Sequence, residues 1–367
     1  MKTIKTFYVT FAFIFLGLVP ILAMGQSMPH TFTANSAAKA SEVNANFKHL
    51  QDQFFWNKKE IDCSSDNLTA TINDGYNHIV INGGCSIKSL TTGGVDFTRY
   101  CEDNSDHKPI HRIRITGKTG KSTDSITVGD LGTCGQIIGP FGGFMHIENI
   151  QINTTNVNVT DGGYFRAGNS TIYAEDSESN GIVLHKGSLI VMENSSAIHW
   201  IKAYTGSVGE FMNSTTTKGL EAELGSTFSA DNMSMLNLEV RRNAVANIKN
   251  STMLNLEVRR NSSAFIENST INCSAKDINC VKVDGKSYTN LYSSTITGGA
   301  NEYAIVLGSL SLVELSNSTV NSTKTSSIQV EGPLSYLNTD SNTTINGTVT
   351  CGNIQSHAFK AGTDLCQ

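Results

Sequence analysis

Past residue 60 the chain alternates apolar and polar residues with a period of two, in runs of only a few residues. In Leu236-Asn-Leu-Glu-Val-Arg, the apolar Leu236, Leu238 and Val240 alternate with Asn237, Glu239 and Arg241, the pattern of a strand with one buried face. The same alternation occurs at Ile113-Arg-Ile115, Ile150-Gln-Ile152, Val157-Asn-Val159 and Leu310-Ser-Leu-Val. Gly, Asn, Asp or Ser bounds each run, as turn residues bound strands. No segment beyond residue 60 carries a sustained apolar stripe at helical spacing.

The strands repeat. Met235 to Asn243 recurs without change as Met253 to Asn261, eighteen residues on, and Asn250-Ser-Thr recurs as Asn268-Ser-Thr at the same interval. A looser form, Asn and small hydroxyl residues followed by a short alternation, marks Asn169, Asn194, Asn213, Asn232, Asn250, Asn268 and Asn317. Asn149 and Ser293 start related segments. Spacings of about 18–25 residues suit one rung of a β-solenoid, whereas a β-sandwich needs no fixed period. The expected fold is therefore all-β: a right-handed parallel β-helix, with a short N-terminal α-helix before it.

In such a stack each rung buries its apolar residues only against its neighbours. Equivalent side chains lie about 4.8 Å apart. Leu236 is expected over Leu254, Leu238 over Leu256 and Val240 over Val258, all facing inward. Asn tolerates the left-handed backbone of a sharp corner. About a dozen rungs between residues 75 and 355 would make a rod of roughly 55 Å.

The N-terminus reads differently. Lys2 and Lys5 precede an apolar run from Phe7 to Leu22, and Ala23-Met-Gly25 offers a cleavage site before Gln26, the layout of a secretory signal. This divides the chain into a signal peptide (1–25), a linker and helix (26–60) and a β-helix with disulfide-bonded ends (61–367). No later segment is apolar enough to span a bilayer. In the helical segment, Ser41 is an N-cap and Val43, Phe47, Leu50 and Phe54 form a heptad-like stripe. Residues 41–59 either cap the open first rung or join chains into a homo-oligomer.

Eight cysteines stand at 63, 85, 101, 134, 273, 280, 351 and 366, an even number that favours disulfides in an exported chain. Only neighbouring rungs touch in a solenoid, so the pairs expected are Cys63–Cys85, Cys101–Cys134, Cys273–Cys280 and Cys351–Cys366. Spacing of the zinc-binding kind is absent. Five prolines, sparse charge and a net charge of −5 argue against disorder and against a basic nucleic-acid face. The destination is secretion or the cell surface, with the periplasm as the alternative.

Rung length and turn chemistry over residues 75–355 resemble the right-handed parallel β-helix (pectin-lyase-like) superfamily, which includes pectate lyases, polygalacturonases and phage tailspikes. The stretch around Glu42-Val-Asn-Ala-Asn-Phe47 resembles a header of many exported bacterial proteins, where it precedes repeat or fibre-like domains. The first resemblance implies a scaffold shared by many chemistries.

Catalytic signatures do not stand out. The Asp-Asp, Gly-His-Gly and Arg-Ile-Lys elements of polygalacturonases are missing from the sequence, their Asn-Thr-Asp occurs only as Asn338-Thr-Asp340, and Asp-rich calcium clusters like those of pectate lyases are absent. Glu102, Asp103 and Asp106 read as a solvated loop or, less simply, a Ca²⁺ site. His107 and His111 have ligand spacing only on a helix, which Pro109 opposes. The duplicated Glu239, Arg241, Glu257 and Arg259 should face outward and stack. They form either a charge-paired ladder or a contact to acidic sugar. Fifteen Asn-x-Ser/Thr sequons coincide with turns and are read as turn chemistry rather than glycan acceptors. Neither metal nor cofactor is called for. The leading expectation is a non-enzymatic exported protein for surface attachment or glycan recognition, its partner a polysaccharide or cell-surface glycan. A divergent polysaccharide lyase or glycoside hydrolase, and a structural filament or fibre subunit, are the alternatives.

Overall fold

The computed structural model describes residues 56–92, 110, 112–134, 143–174, 181–352 and 355–366. The signal, the predicted helix up to residue 55, and Cys101 with its pairing to Cys134 lie outside them. From Lys58 onward the chain forms one compact unit, and that unit is a parallel β-helix.

Each rung contributes up to three strands. In one rung these are Val245–Lys249, Thr252–Met253 and Asn255–Arg259. The first strand of every rung joins sheet A, fifteen strands long, and the other two join sheet B, with eighteen. Partners in sheet A lie between 18 residues apart, as Val245 with Ser263, and 25 apart, as Tyr164 with Leu189. The rungs around His78, Arg114 and His146 are longer because insertions separate their strands. Sheet A starts at Lys58, so the β-helix begins a little before the boundary expected at 61.

Two kinds of corner close each rung, and both need left-handed backbone. Asn149, Asn169, Asn194, Asn213, Asn232, Asn250, Asn268 and Asn317 all have φ between +44° and +54°, and Ser293 joins them at +49°. Asn is the side chain that accepts this region most readily. The residue after it is usually a buried serine with two roles. Ser269 Oγ donates to the Glu267 carbonyl and accepts from the Ser251 N–H. Ser195, Ser214, Ser251, Ser294 and Ser318 also bond the carbonyl two residues back. The Asn-Ser-Thr and Asn-Ser-Ser sequons at these corners are thus the mould of the turn. The opposite corner uses two successive left-handed residues, such as Lys186-Gly187, Thr205-Gly206 and Arg260-Asn261.

Inside, like lies over like. Leu220, Leu238, Leu256, Val281 and Ile305 form one continuous buried row. Each such side chain contributes roughly 1.5–3 kcal/mol by leaving water. Where two phenylalanines meet, Phe211 and Phe228, the rings cross edge to face at 5.5 Å. A Cβ on Gly209 would stand 2.5 Å from Phe228, so that position must stay glycine.

Leu236 corrects the sequence reading. It stacks over Leu254 through a 2.8 Å backbone bond, yet its side chain is 45 % exposed. Met235 takes the inward position instead, and the corner between the two sheet B strands places two outward residues in succession. The phase at Leu310 shifts for a similar reason: Leu310 is an exposed left-handed corner residue, and Val313 and Leu315 point inward.

The ends are stapled. Cys63–Cys85 ties the first coil, where helix α1 (Leu68–Asn73), capped by Asn67, buries Leu68 and Ile72. Cys273–Cys280 closes a short loop. At the C-terminus, Cys351–Cys366 and the antiparallel strand Thr363–Asp364 against His357–Lys360 finish the stack.

Candidate ligand-binding faces

The duplicated charges sit on sheet B. Glu239 is in register with Glu257, and Arg241 with Arg259. The glutamate row runs Lys202, Glu221, Glu239, Glu257, Lys282 along successive rungs. Three stacked carboxylates would repel, and Arg241 answers them sideways. It pairs with Glu239, with Glu257 at 3.1 Å, with Glu221 at 3.4 Å and with Glu223 at 3.9 Å. Lys202 takes Glu221 at 3.1 Å, Arg242 takes Glu223 at 3.0 Å, and Arg259 takes Glu257. Burial lifts the Glu239 carboxyl above its ordinary range, Arg241 pulls it down and Glu221 adds to the rise. These groups are occupied with one another. The geometry is that of a charge-paired ladder.

Sheet A presents a different face. Its first outward row runs Phe144, Tyr164, Leu189, Val208, Thr227, Val245, one residue per rung. Farther along, the same row carries Tyr288 and Tyr336. Ring pairs recur at rung spacing: Phe144–Tyr164 at 4.9 Å, Phe265–Tyr288 at 5.6 Å and Tyr336–His357 at 5.3 Å. Met212, Phe265, Tyr292 and Tyr336 are each at least 40 % exposed here. Met212 stands alone between Glu193 and Asp231 and needs no explanation, but the outward rings that meet one another do.

Beside the first aromatic pair runs a basic column. Lys58, His78, Arg114, His146 and Arg166 occupy the middle outward row on successive rungs. Glu148 pairs with Arg114, and Glu193 with Arg166 at 2.8 Å. Burial, then the Arg114 guanidinium, holds His78 and His146 down at about 4, so both are neutral at pH 7. Glu148 ends below the ordinary carboxyl range despite its burial, because Arg114 bonds it. The sequence reading passed over this column. Insertions separate its members, and they do not repeat one another. The available signal was phase: Arg114 and His146 stand between inward pairs in Ile113-Arg-Ile115 and Met145-His-Ile147.

A cleft of about 550 Å³ lies near α1, lined by polar residues such as Asn67, Ser86, Lys88 and Asn153 together with Ile87 and Val128. Lys88 is its one ionisable lining residue, so no acid–base pair converges there. Glu102, Asp103, Asp106, His107 and His111 lie outside the described residues. Among the described residues no group of three His, Cys, Asp or Glu side chains could hold a metal ion, and no helix is long and apolar enough to cross a membrane.

No protein-family model matches the chain, and no curated protein sequence matches it. A solved structure similar to it is the A-module of the Azotobacter vinelandii mannuronan C-5 epimerase AlgE6. That match has a TM-score of 0.40 and 13 % identity, over 78 % of this chain and 93 % of the module. It carries nothing about activity or ligand, and the fold rests on the strand pairing above.

Proposed function

We propose that this chain is an exported, non-enzymatic β-helix protein that recognises a glycan along the outward face of sheet A. The observation that carries the reading is the set of three outward ring pairs, Phe144–Tyr164, Phe265–Tyr288 and Tyr336–His357, spaced along the stack. Aromatic rings offer flat apolar surface with little entropy to lose on binding, and the C–H faces of sugar rings fit such platforms. The polar middle row beside them supplies hydrogen-bond partners for hydroxyls. Export agrees with the disulfides, which persist in oxidising compartments.

The non-enzymatic part of the proposal is supported by how the carboxylates are held. A glycosidase needs one carboxyl kept protonated beside a second that is ionised. On sheet A, Glu148 is pulled down by Arg114, the opposite of what an acid catalyst requires. Glu239 favours the rival reading of a lyase or hydrolase, because its raised carboxyl is the kind of shift that catalytic acids show.

A glycan array probed with the purified protein tests the proposal. Retention of one glycan class is expected, weakened at least tenfold in Tyr164→Ala and Tyr288→Ala with circular dichroism unchanged. Retention of no glycan, or variants that bind as wild type, would overturn it. Release of unsaturated or reducing ends from a polyuronate panel would establish the rival.

A further inference from the structure

We infer that the N-terminal part of the sheet A face is a site for an anionic glycan, with Arg114, His146 and Arg166 holding its carboxylate or sulfate groups and Phe144 and Tyr164 carrying its sugar rings. The inference rests on the glycan-recognition reading and names the ligand class.

Charge distribution is the first support. The chain as a whole is at −5, yet Lys58, Arg114 and Arg166 stand on alternate rungs of one outward row, and Arg112 lies in the row beside it. The glutamates paired to the column are Glu148 and Glu193. Glu60, on the neighbouring row, is taken by Lys118. Among the described residues, with Asp62 exposed beside Glu60, five cations including Lys118 face four carboxylates on this end of the sheet, a narrow positive majority in a chain that is acidic overall.

Accessibility is the second. The Arg114–Glu148 and Arg166–Glu193 pairs are open on both sides, with the glutamates 34 % and 37 % exposed, whereas Glu221 and Glu223 of the sheet B ladder are only 10 % exposed. Each glutamate meets its arginine through Nη2 alone. A guanidinium has five N–H donors in a fixed fork, so one such contact does not exhaust it.

Spacing is the third. Arg114 and Arg166 are separated by the single rung of His146, which puts their Cα atoms roughly 9–10 Å apart. Phe144 and Tyr164 are the direct row neighbours of His146 and Arg166 on the same two strands, and the Phe144 ring meets the His146 ring edge-on at 6.5 Å. Ring platform and polar group therefore lie side by side across the strand, and the cation recurs on every second rung, as a polymer with charged groups at regular intervals can match.

The histidines add a pH response. His78 faces Lys58, Arg114 and Glu148. His146 faces Arg114, Arg166, Glu148 and Glu193. A bound anion brings opposite charge next to both and favours the imidazolium, so proton uptake and anion binding reinforce each other. Affinity should rise as the pH falls from 7 to 5.

Titration calorimetry of the full chain at pH 7 and pH 5, with polygalacturonate, dextran sulfate and uncharged dextran, tests the inference. The expected result is binding of at least one polyanion, tighter at pH 5, weakened steeply by salt and lowered tenfold or more in Arg166→Gln and Arg114→Gln. Arg166→Lys, which keeps charge and fold, should retain part of the affinity. Binding by one polyanion only assigns the group as carboxylate or sulfate. Equal binding of dextran and the polyanions, or Gln variants that bind like wild type, overturns the inference and leaves glycan recognition standing. Absence of binding to any glycan here and on the array overturns both.

Discussion

Arg241 is the residue on which the sheet B ladder balances, and Arg241→Met should loosen the rungs on both sides of it. The guanidinium serves four carboxylates on three rungs: Glu221, Glu223, Glu239 and Glu257. Removing one partner of a fully buried pair costs about 3–5 kcal/mol. Arg241 is 28 % exposed, so solvent screening reduces the expected loss to about 2–3 kcal/mol. Because a solenoid's stability is a sum of neighbouring interfaces, the loss should be local. Amide hydrogen exchange at pH 7 should show roughly 30- to 150-fold weaker protection across Gly219–Arg259, with distant rungs unchanged. Arg259 pairs with Glu257 alone among the described ion pairs, so Arg259→Met should lose no more than about 1 kcal/mol. The defect should also shrink toward pH 5, where the Glu239 carboxyl, already raised by burial, takes up a proton and removes one of the repelling charges. Equal losses for the two arginines, or a defect that does not change between pH 7 and pH 5, would refute the reasoning.

Four other outcomes are expected. Ser269→Ala strands the Ser251 N–H and frees the Glu267 carbonyl, a loss of about 1–2 kcal/mol readable as faster exchange at Ser251. Asn268→Val, forced to φ +48°, should cost about 1–2 kcal/mol, whereas Asn268→Gly should unfold in urea close to wild type. Replacing Cys63 and Cys85 by Ser opens a link of 22 residues, worth about 3 kcal/mol, and limited proteolysis should then cut first near α1. In acid, His78 and His146 are protonated near the ordinary 6.5 in the unfolded chain but only near 4 when folded. The unfolded state therefore binds more protons between those values. The stability these two histidines contribute should be full above pH 6.5, decline down to pH 4 and level off below it, and His146→Gln should flatten that part of the decline in urea titrations.

The fold was legible because its signal is repeated. A period of 18 to 25 residues, Asn at one corner of most rungs and inward Leu238, Leu256 and Val258 all came from spacing alone. The buried serines after each Asn were overlooked because a small polar residue reads as loop until the rung below it supplies the bonding partner. Leu236 misled for a geometric reason, since strict alternation breaks wherever a corner puts two outward residues together. The sheet A column was illegible for a third reason. His78, Arg114, His146 and Arg166 are neighbours only because insertions of different length loop out between them, and no local pattern records that.

Stacking also explains why the two faces differ. Like over like is favourable inside, where Leu238 meets Leu256, and unfavourable outside, where Glu239 meets Glu257. An exact duplication therefore brings repulsion to its surface, and it is tolerated only if a side chain such as Arg241 reaches across rungs to neutralise the row. A row so compensated has few donors left for a ligand. The N-terminal rungs, whose sequences differ from one another, follow another course. Histidines that stay neutral at pH 7 alternate with arginines, so like charges stand two rungs apart and each guanidinium keeps donors that its glutamate does not use. Repetition thus builds the stack, and the rungs that depart from it are the ones equipped to recognise something else.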